Sequence, residues 1–187
     1  MMFRPRESYD QRVLQAHLTI TPTPARLRYV EDVFGNCVGI ATFAGRAKEL
    51  TFESRVELEH DPAPAFSVWE GEAEAHAGAM PVAYSPEDLP DLSRSMERHY
   101  ADADRTVELW ARRFVRPVGP TSLRALLSEM TWEIHANFAY QPRPDGSAQA
   151  PEQTLRLGRG SCRDFAILMI EAARSLGLAA RFVSGYV

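Results

Sequence analysis

One cysteine in this sequence sits where a thiol can do chemistry. The run Gly158-Arg159-Gly160-Ser161-Cys162-Arg163-Asp164-Phe165-Ala166 begins with two glycines, which free the backbone to turn sharply. Ser161 then suits a helix N-cap, with Asp164 three residues on as a variant of the capping box. Phe165, Leu168, Met169, Ala172 and Leu176 recur at helical spacing, and Gly177 ends the run. The pattern predicts a helix that starts at Cys162. There, free backbone N–H groups and the positive end of the helix dipole favour thiolate over thiol, and nearby N–H groups are available to an oxyanion. Nucleophilic acyl transfer is the chemistry this suits. Asp164 would oppose a thiolate lying close to it, so capping is the role assigned to it. A cysteine is also an ordinary small buried hydrophobe. That description fits Cys37, between Asn36 and Val38, which is expected to be buried and slow to alkylate.

A thiolate nucleophile needs a base and a group that orients the base. All five histidines, His17, His60, His76, His99 and His135, precede Cys162. His17 falls on the polar face of a strand, and His135 lies in a helical stripe where a surface or cap role fits, so no histidine is assigned as the base. Gln141, Gln149 and Gln153 are candidates for a side-chain oxyanion donor. No spacing of His, Cys, Asp and Glu resembles a metal site, and neither a metal nor a cofactor is expected.

The elements that must position Cys162 follow from periodicity. Leu14, Ala16, Leu18 and Ile20 alternate with polar residues, Leu27 and Tyr29 sit between arginines, and Leu50, Phe52, Ser54, Val56 and Leu58 alternate with a charged face. These are two-residue periods of half-buried strands, and the last strand is expected to have one dry face. Pro22, Pro24 and Phe34-Gly35-Asn36 supply turns. Asp61-Pro62-Ala63-Pro64 ends the pattern, and a linking segment is expected over 66–90. Ser85-Pro86 resembles an N-cap, although Pro90 limits the helix it could start. Helical stripes then run through Val107, Trp110, Phe114 and Val115, and, after Thr121 or Ser122 as cap, through Leu123, Leu126, Leu127, Met130 and Ile134. Core packing is the plain role for these aromatics and methionines.

The 187 residues, 45% apolar and 25% charged, can bury a core. A formal charge of -4 gives no electrostatic case for nucleic acid or an anionic membrane. The N-terminus lacks the apolar run of a signal peptide, and no stretch approaches membrane-spanning length. Two cysteines in unlike contexts form no disulfide framework, so a cytoplasmic protein is expected.

The stretch from Gly160 to Ala166, followed by Ala173-Arg174-Ser175-Leu176-Gly177-Leu178-Ala179-Ala180-Arg181-Phe182-Val183-Ser184-Gly185-Tyr186, resembles the nucleophile helix and following strand of the transglutaminase-like superfamily. Upstream, Asp32-Val33-Phe34-Gly35-Asn36 and the strand Leu50 to Leu58 are similar to the β domain that precedes the core in bacterial members. The resemblance implies an α+β fold. An N-terminal antiparallel β-sandwich-like domain over 1–65 is followed, after the linking segment, by a mainly helical portion of a papain-like transglutaminase core over 91–187. It implies that Cys162 is the nucleophile of a Cys-His-Asp arrangement acting on a peptide or protein amide, by hydrolysis or by acyl transfer to an amine. In the family the His and Asp lie beyond the strand containing Ser184-Gly185-Tyr186, so a chain truncated before them, and inactive alone, is expected. It leaves the strand from Arg181 to Val187 without its later neighbours. The alternative is a non-catalytic binding or assembly module carrying a degenerate core.

Overall fold

The computed structural model describes residues 4–8, 10–61, 79–142 and 146–183, and contacts group the chain into two units, Met1–Ala65 and Phe66–Tyr186. In the first, strand β1 (Gln11–Thr21) pairs antiparallel with β4 (Thr51–His60), and β2 (Arg26–Glu31) with β3 (Cys37–Thr42). The alternation predicted from Leu14 to Ile20 holds only at its far end. Ile20 is buried and Leu18 half-buried, whereas Leu14 is 52% exposed. The cause is a bulge: Val13 faces Leu58 and Gln15 faces Glu57, which leaves Leu14 as the extra residue. Val13, not Leu14, is half-buried. The face expected to be dry on β4 is half-buried at Phe52 and Val56 only, while Leu50 and Leu58 stay exposed. A two-stranded ribbon offers too few neighbours to cover a whole face.

Between β2 and β3 the turn is closed by Asp32, which accepts from the amides of Phe34 and Asn36 at 2.9 and 2.8 Å and from Asn36 Nδ2 at 2.9 Å. These bonds, the Asn36 side chain foremost, hold the Asp32 carboxyl below its ordinary value. Gly35 takes a φ of +74° there, where a Cβ would be strained. Cys37 opens β3 opposite Glu31 and is exposed, not buried. The reason is local, since in this ribbon only Ala41 is even half-buried.

In the second unit, β5 (Ala79–Met80) pairs with β6 (Thr121–Ser122), so the segment expected to link contains a strand; residues 62–78 lie outside the described residues. Ser85 and Asp88 bond one another in the turn before helix α1 (Leu89–Met96). Pro90 does not limit that helix, because it occupies the first turn, where no N–H is needed. Next come α2 (Thr106–Arg112) and α3 (Leu123–Asn137), the latter capped by Ser122 Oγ accepting from the Ala125 amide at 3.4 Å. Strand β7 (Ala139–Tyr140), helix α4 (Pro151–Leu157), strand β8 (Arg159–Gly160) and helix α5 (Cys162–Ser175) complete the described order.

The core joins Val107, Trp110 and Ala111 of α2, Leu126, Met130 and Ile134 of α3, and Leu168, Ala172 and Ala173 of α5. Each fully buried aliphatic contributes roughly 2 kcal/mol of transfer free energy. One end of α5 also carries buried charge. Glu171, 1% exposed, accepts from the His99 and Tyr100 amides and from Arg174 Nη1 at 2.9 Å. Arg174 donates to the Ser95 carbonyl at 2.9 Å and through Nη2 to the Ala180 carbonyl at 2.8 Å. The Ala180 amide donates to Ser95 O, and the Ala179 amide to Tyr84 Oη at 2.7 Å. The chain leaving α5 is therefore bolted to the helix and to α1. Of the strand expected over 181–187, Arg181–Val183 form no strand and pair with none among the described residues; 184–187 lie outside the described residues.

Asp102 accepts from Arg98 Nη2 at 2.9 Å and from the amides of Val107 and Glu108 at 3.1 and 3.2 Å, which satisfies the start of α2. Burial pushes this carboxyl up, but the Arg98 bond and the two amides outweigh it and leave it below 3.8. A lowered carboxylate contributes stability that is complete above 3.8 and lost as pH falls through the lower, folded value. Asp102→Asn is expected to cost about 1–2 kcal/mol at neutral pH and to flatten the acid limb below pH 3.8, read from urea titrations across pH.

Candidate active site around Cys162

Helix α5 begins at Cys162, as the spacing predicts, with Ser161 extended at φ -86°, ψ 171° before it. What holds this turn is Asp164, whose side chain is wholly buried. Its Oδ2 accepts from the Ser161 amide at 2.8 Å and hydroxyl at 2.9 Å, and its Oδ1 accepts from the Gln149 amide at 2.7 Å. The Gln149 side chain closes the knot: Nε2 donates to the Arg159 carbonyl at 3.1 Å and lies 3.3 Å from Asp164 Oδ2. A buried carboxylate needs such donors, or its desolvation would be costly. The capping box assigned from sequence is present.

The two glycines do different work. Gly158 ends α4 in the left-handed region at φ +56°, where glycine avoids a Cβ clash. Gly160 is glycine for space: a Cβ there would stand 2.9 Å from Asp164 Cβ and 3.0 Å from Gln149 Nε2. Strand β8 runs parallel to β7, the Ala139 amide bonding Gly158 O and the Gln141 amide bonding Gly160 O, both at 2.8 Å. The backbone entering the cysteine is thus gripped on one side by β7 and from within by the Asp164 knot. Phe165 is T-stacked on Phe138, ring centroids 5.9 Å apart, and Arg163 Nη2 donates to the Gly146 carbonyl at 3.2 Å. Cys162 itself is exposed on this frame.

The three glutamines separate. Gln149 is an internal anchor, its amide already committed. Gln153 is exposed on α4, and Gln141 is exposed beside Gly160 through its backbone bond. The described histidines make their contacts elsewhere: His17 pairs across from Arg55, His60 lies 3.7 Å from Asp10, the His99 amide bonds Glu171, and the His135 ring is 5.5 Å from Trp132. His76 lies outside the described residues. Two depressions, of about 370 Å³ by Arg112 and Leu176 and about 470 Å³ by Trp132 and His135, do not include Cys162 in their walls. The arrangement offers an exposed thiol at a helix N-terminus on a rigid turn. The sequence offers Gln149 as an oxyanion donor; its role in holding the turn is not legible there, because its partner is 15 residues away and no local pattern signals the bond.

Family models match both parts of the chain: the transglutaminase-like superfamily core over residues 110–187 and the bacterial transglutaminase-like N-terminal region over 1–59. The chain belongs to the transglutaminase-like superfamily. Uncharacterized proteins of Mycobacterium bovis and of two Mycobacterium tuberculosis strains are 31% identical to it over 191 residues. The match takes in 98% of this chain but 57% of each relative, so the chain spans little more than half the length of these curated relatives. In structure it is similar to a candidate cysteine protease of Cytophaga hutchinsonii, with a TM-score of 0.62 at 15% identity, over 91% of this chain and 55% of that one. That likeness shows a shared papain-like fold. No helix among the described residues of this transglutaminase-like chain is long and apolar enough to cross a membrane.

The geometry of the turn sets two expected outcomes. Gly160→Ala forces a Cβ into the Asp164–Gln149 contact and is expected to cost about 1–3 kcal/mol, measured by urea unfolding. Because both thiols are exposed, burial does not distinguish them. Cys162, on its helix terminus, is expected to react with iodoacetamide at neutral pH faster than Cys37; peptide mass spectrometry of partly alkylated protein measures the ratio, and equal rates would count against a prepared thiol.

Proposed function

We propose that Cys162 is the nucleophile of a cysteine enzyme that acts on amide or peptide bonds, by hydrolysis or by acyl transfer to an amine. The observation that carries this is the exposed sulfur at the first residue of α5, on a turn held by the buried Asp164. In the reaction the thiolate adds to the amide carbonyl carbon and forms the C–S bond. The C–N bond then breaks, and the leaving amine takes a proton from the base. Water or an amine attacks the thioester, the C–S bond breaks, and the incoming group's proton passes to the base. Backbone N–H groups at the start of α5 favour the oxyanion of each addition.

The base and its orienting carboxylate are assigned to a His and an Asp outside residues 1–187. The contacts of two described histidines support this, since the rings of His60 and His135 meet Asp10 and Trp132. A cytoplasmic setting goes with the reading, supported by two exposed free thiols that a reducing compartment would preserve.

The test is turnover of a fluorogenic peptide and incorporation of a labelled amine. Residues 1–187 alone are expected to show neither. A longer protein that supplies the His and Asp is expected to show one of them, and Cys162→Ala is expected to lower kcat by on the order of a thousand-fold or more. Turnover by residues 1–187 that disappears in Cys162→Ala would place the base among the five histidines instead.

A further inference from the structure

The charges around Cys162 differ in sign from those of the chain as a whole. The full sequence has a formal charge of -4. Between Gly146 and Ala166, however, the charged residues are Glu152, Arg156, Arg159, Arg163 and Asp164. Asp164 is buried and spends its charge on the Ser161 and Gln149 donors. Glu152 stands four residues before Arg156 on α4, close enough to offset part of its charge, although the two form no salt bridge among the described residues. Facing it from β7, Ala139 and Tyr140 bring no charge, nor do Gln141 and Pro142 after them. The three consecutive elements leading to and carrying the cysteine each hold an arginine: Arg156 in the last turn of α4, Arg159 in β8 and Arg163 at the second residue of α5. Arg156 and Arg159 are exposed and have no ion-pair partner among the described residues. Arg163 is half-buried and donates to a neutral carbonyl, that of Gly146, with no carboxylate partner among the described residues.

We propose that Arg156, Arg159 and Arg163 form a cationic rim that selects acyl donors carrying a carboxylate near the bond to be cut. This deepens the assignment of Cys162 as nucleophile and rests on it. A guanidinium is always charged and presents a fork of donors that fits a carboxylate. An acidic side chain or chain terminus close to the scissile carbonyl would be drawn toward the rim, while a basic one would be repelled. At exposed positions the effect is screened, with a Debye length of about 8 Å at physiological salt, so it acts as a preference among substrates.

Thiol reagents of different charge read the rim directly in the 187-residue chain. The rates of disulfide formation at Cys162 with anionic 2-sulfonatoethyl, and with cationic 2-trimethylammonioethyl, methanethiosulfonate are measured by peptide mass spectrometry. Cys37, which lies opposite Glu31, is followed in the same samples. The anionic-to-cationic ratio at Cys162 is expected to exceed that at Cys37 and to fall toward it in high salt. Arg156→Gln and Arg159→Gln are each expected to lower the ratio at Cys162 by on the order of two-fold, leaving Cys37 unchanged; circular dichroism checks the fold. A high ratio that neither variant moves would assign the effect to the helix terminus and overturn the rim. So would a ratio at Cys162 equal to that at Cys37, or one that salt does not move, and these hold even if a variant fails to fold. No reaction at Cys162 with any reagent would instead defeat its assignment as nucleophile.

Discussion

A carboxylate taken wholly out of water survives as a charge only where enough donors converge on it, and this requirement organises the ground beneath Cys162. Asp164 draws in the amide and hydroxyl of Ser161 and both the amide and the side chain of Gln149. Those donors come from the turn before α5 and from the loop before α4, so the carboxylate ties its own helix to a residue 15 positions away. Gly160 must be glycine because the carboxylate sits against it. Cys162 is carried outward by the same packing that draws Asp164 inward, since successive positions of a first helical turn face different ways.

Helix α5 acts as the spine of the second unit in a physical sense. Its middle packs Leu168 and Ala172 into the core with α2 and α3. Its far end uses Glu171 and Arg174 to hold the loop at His99 and the segment at Ala180. Both buried charges are satisfied, so the pair defines the position of the departing chain instead of weakening the core. The two ends of one helix therefore fix the turn that precedes the sulfur and the path of the chain beyond it.

The first unit obeys a different constraint. Its strands pair in twos, and ribbons of that width cannot dry a face. Apolar residues such as Tyr29, Val33 and Phe34 remain exposed there, and order is supplied by backbone pairing and by the Asp32 turn. This part matches the bacterial transglutaminase-like N-terminal region over residues 1–59.

Local physics was legible in the sequence. The helix starting at Cys162, the capping role of Asp164, the Ser122 cap and the stripes that became the core all depend on neighbours within a few residues, and spacing encodes these directly. Bulges, burial and long-range donors are not encoded that way. Leu14 looks like a core residue until the register with β4 leaves it unpaired. Cys37 looks buried until its strand proves to lie in a narrow ribbon. Gln149 looks like one of three equivalent glutamines until it meets Asp164 and Arg159. Sequence alone determined that a helix starts at Cys162, because a helix terminus is a local property. Only the tertiary structure decided what steadies that terminus, because the Gln149–Asp164 contact joins residues that the fold, not the chain order, brings together.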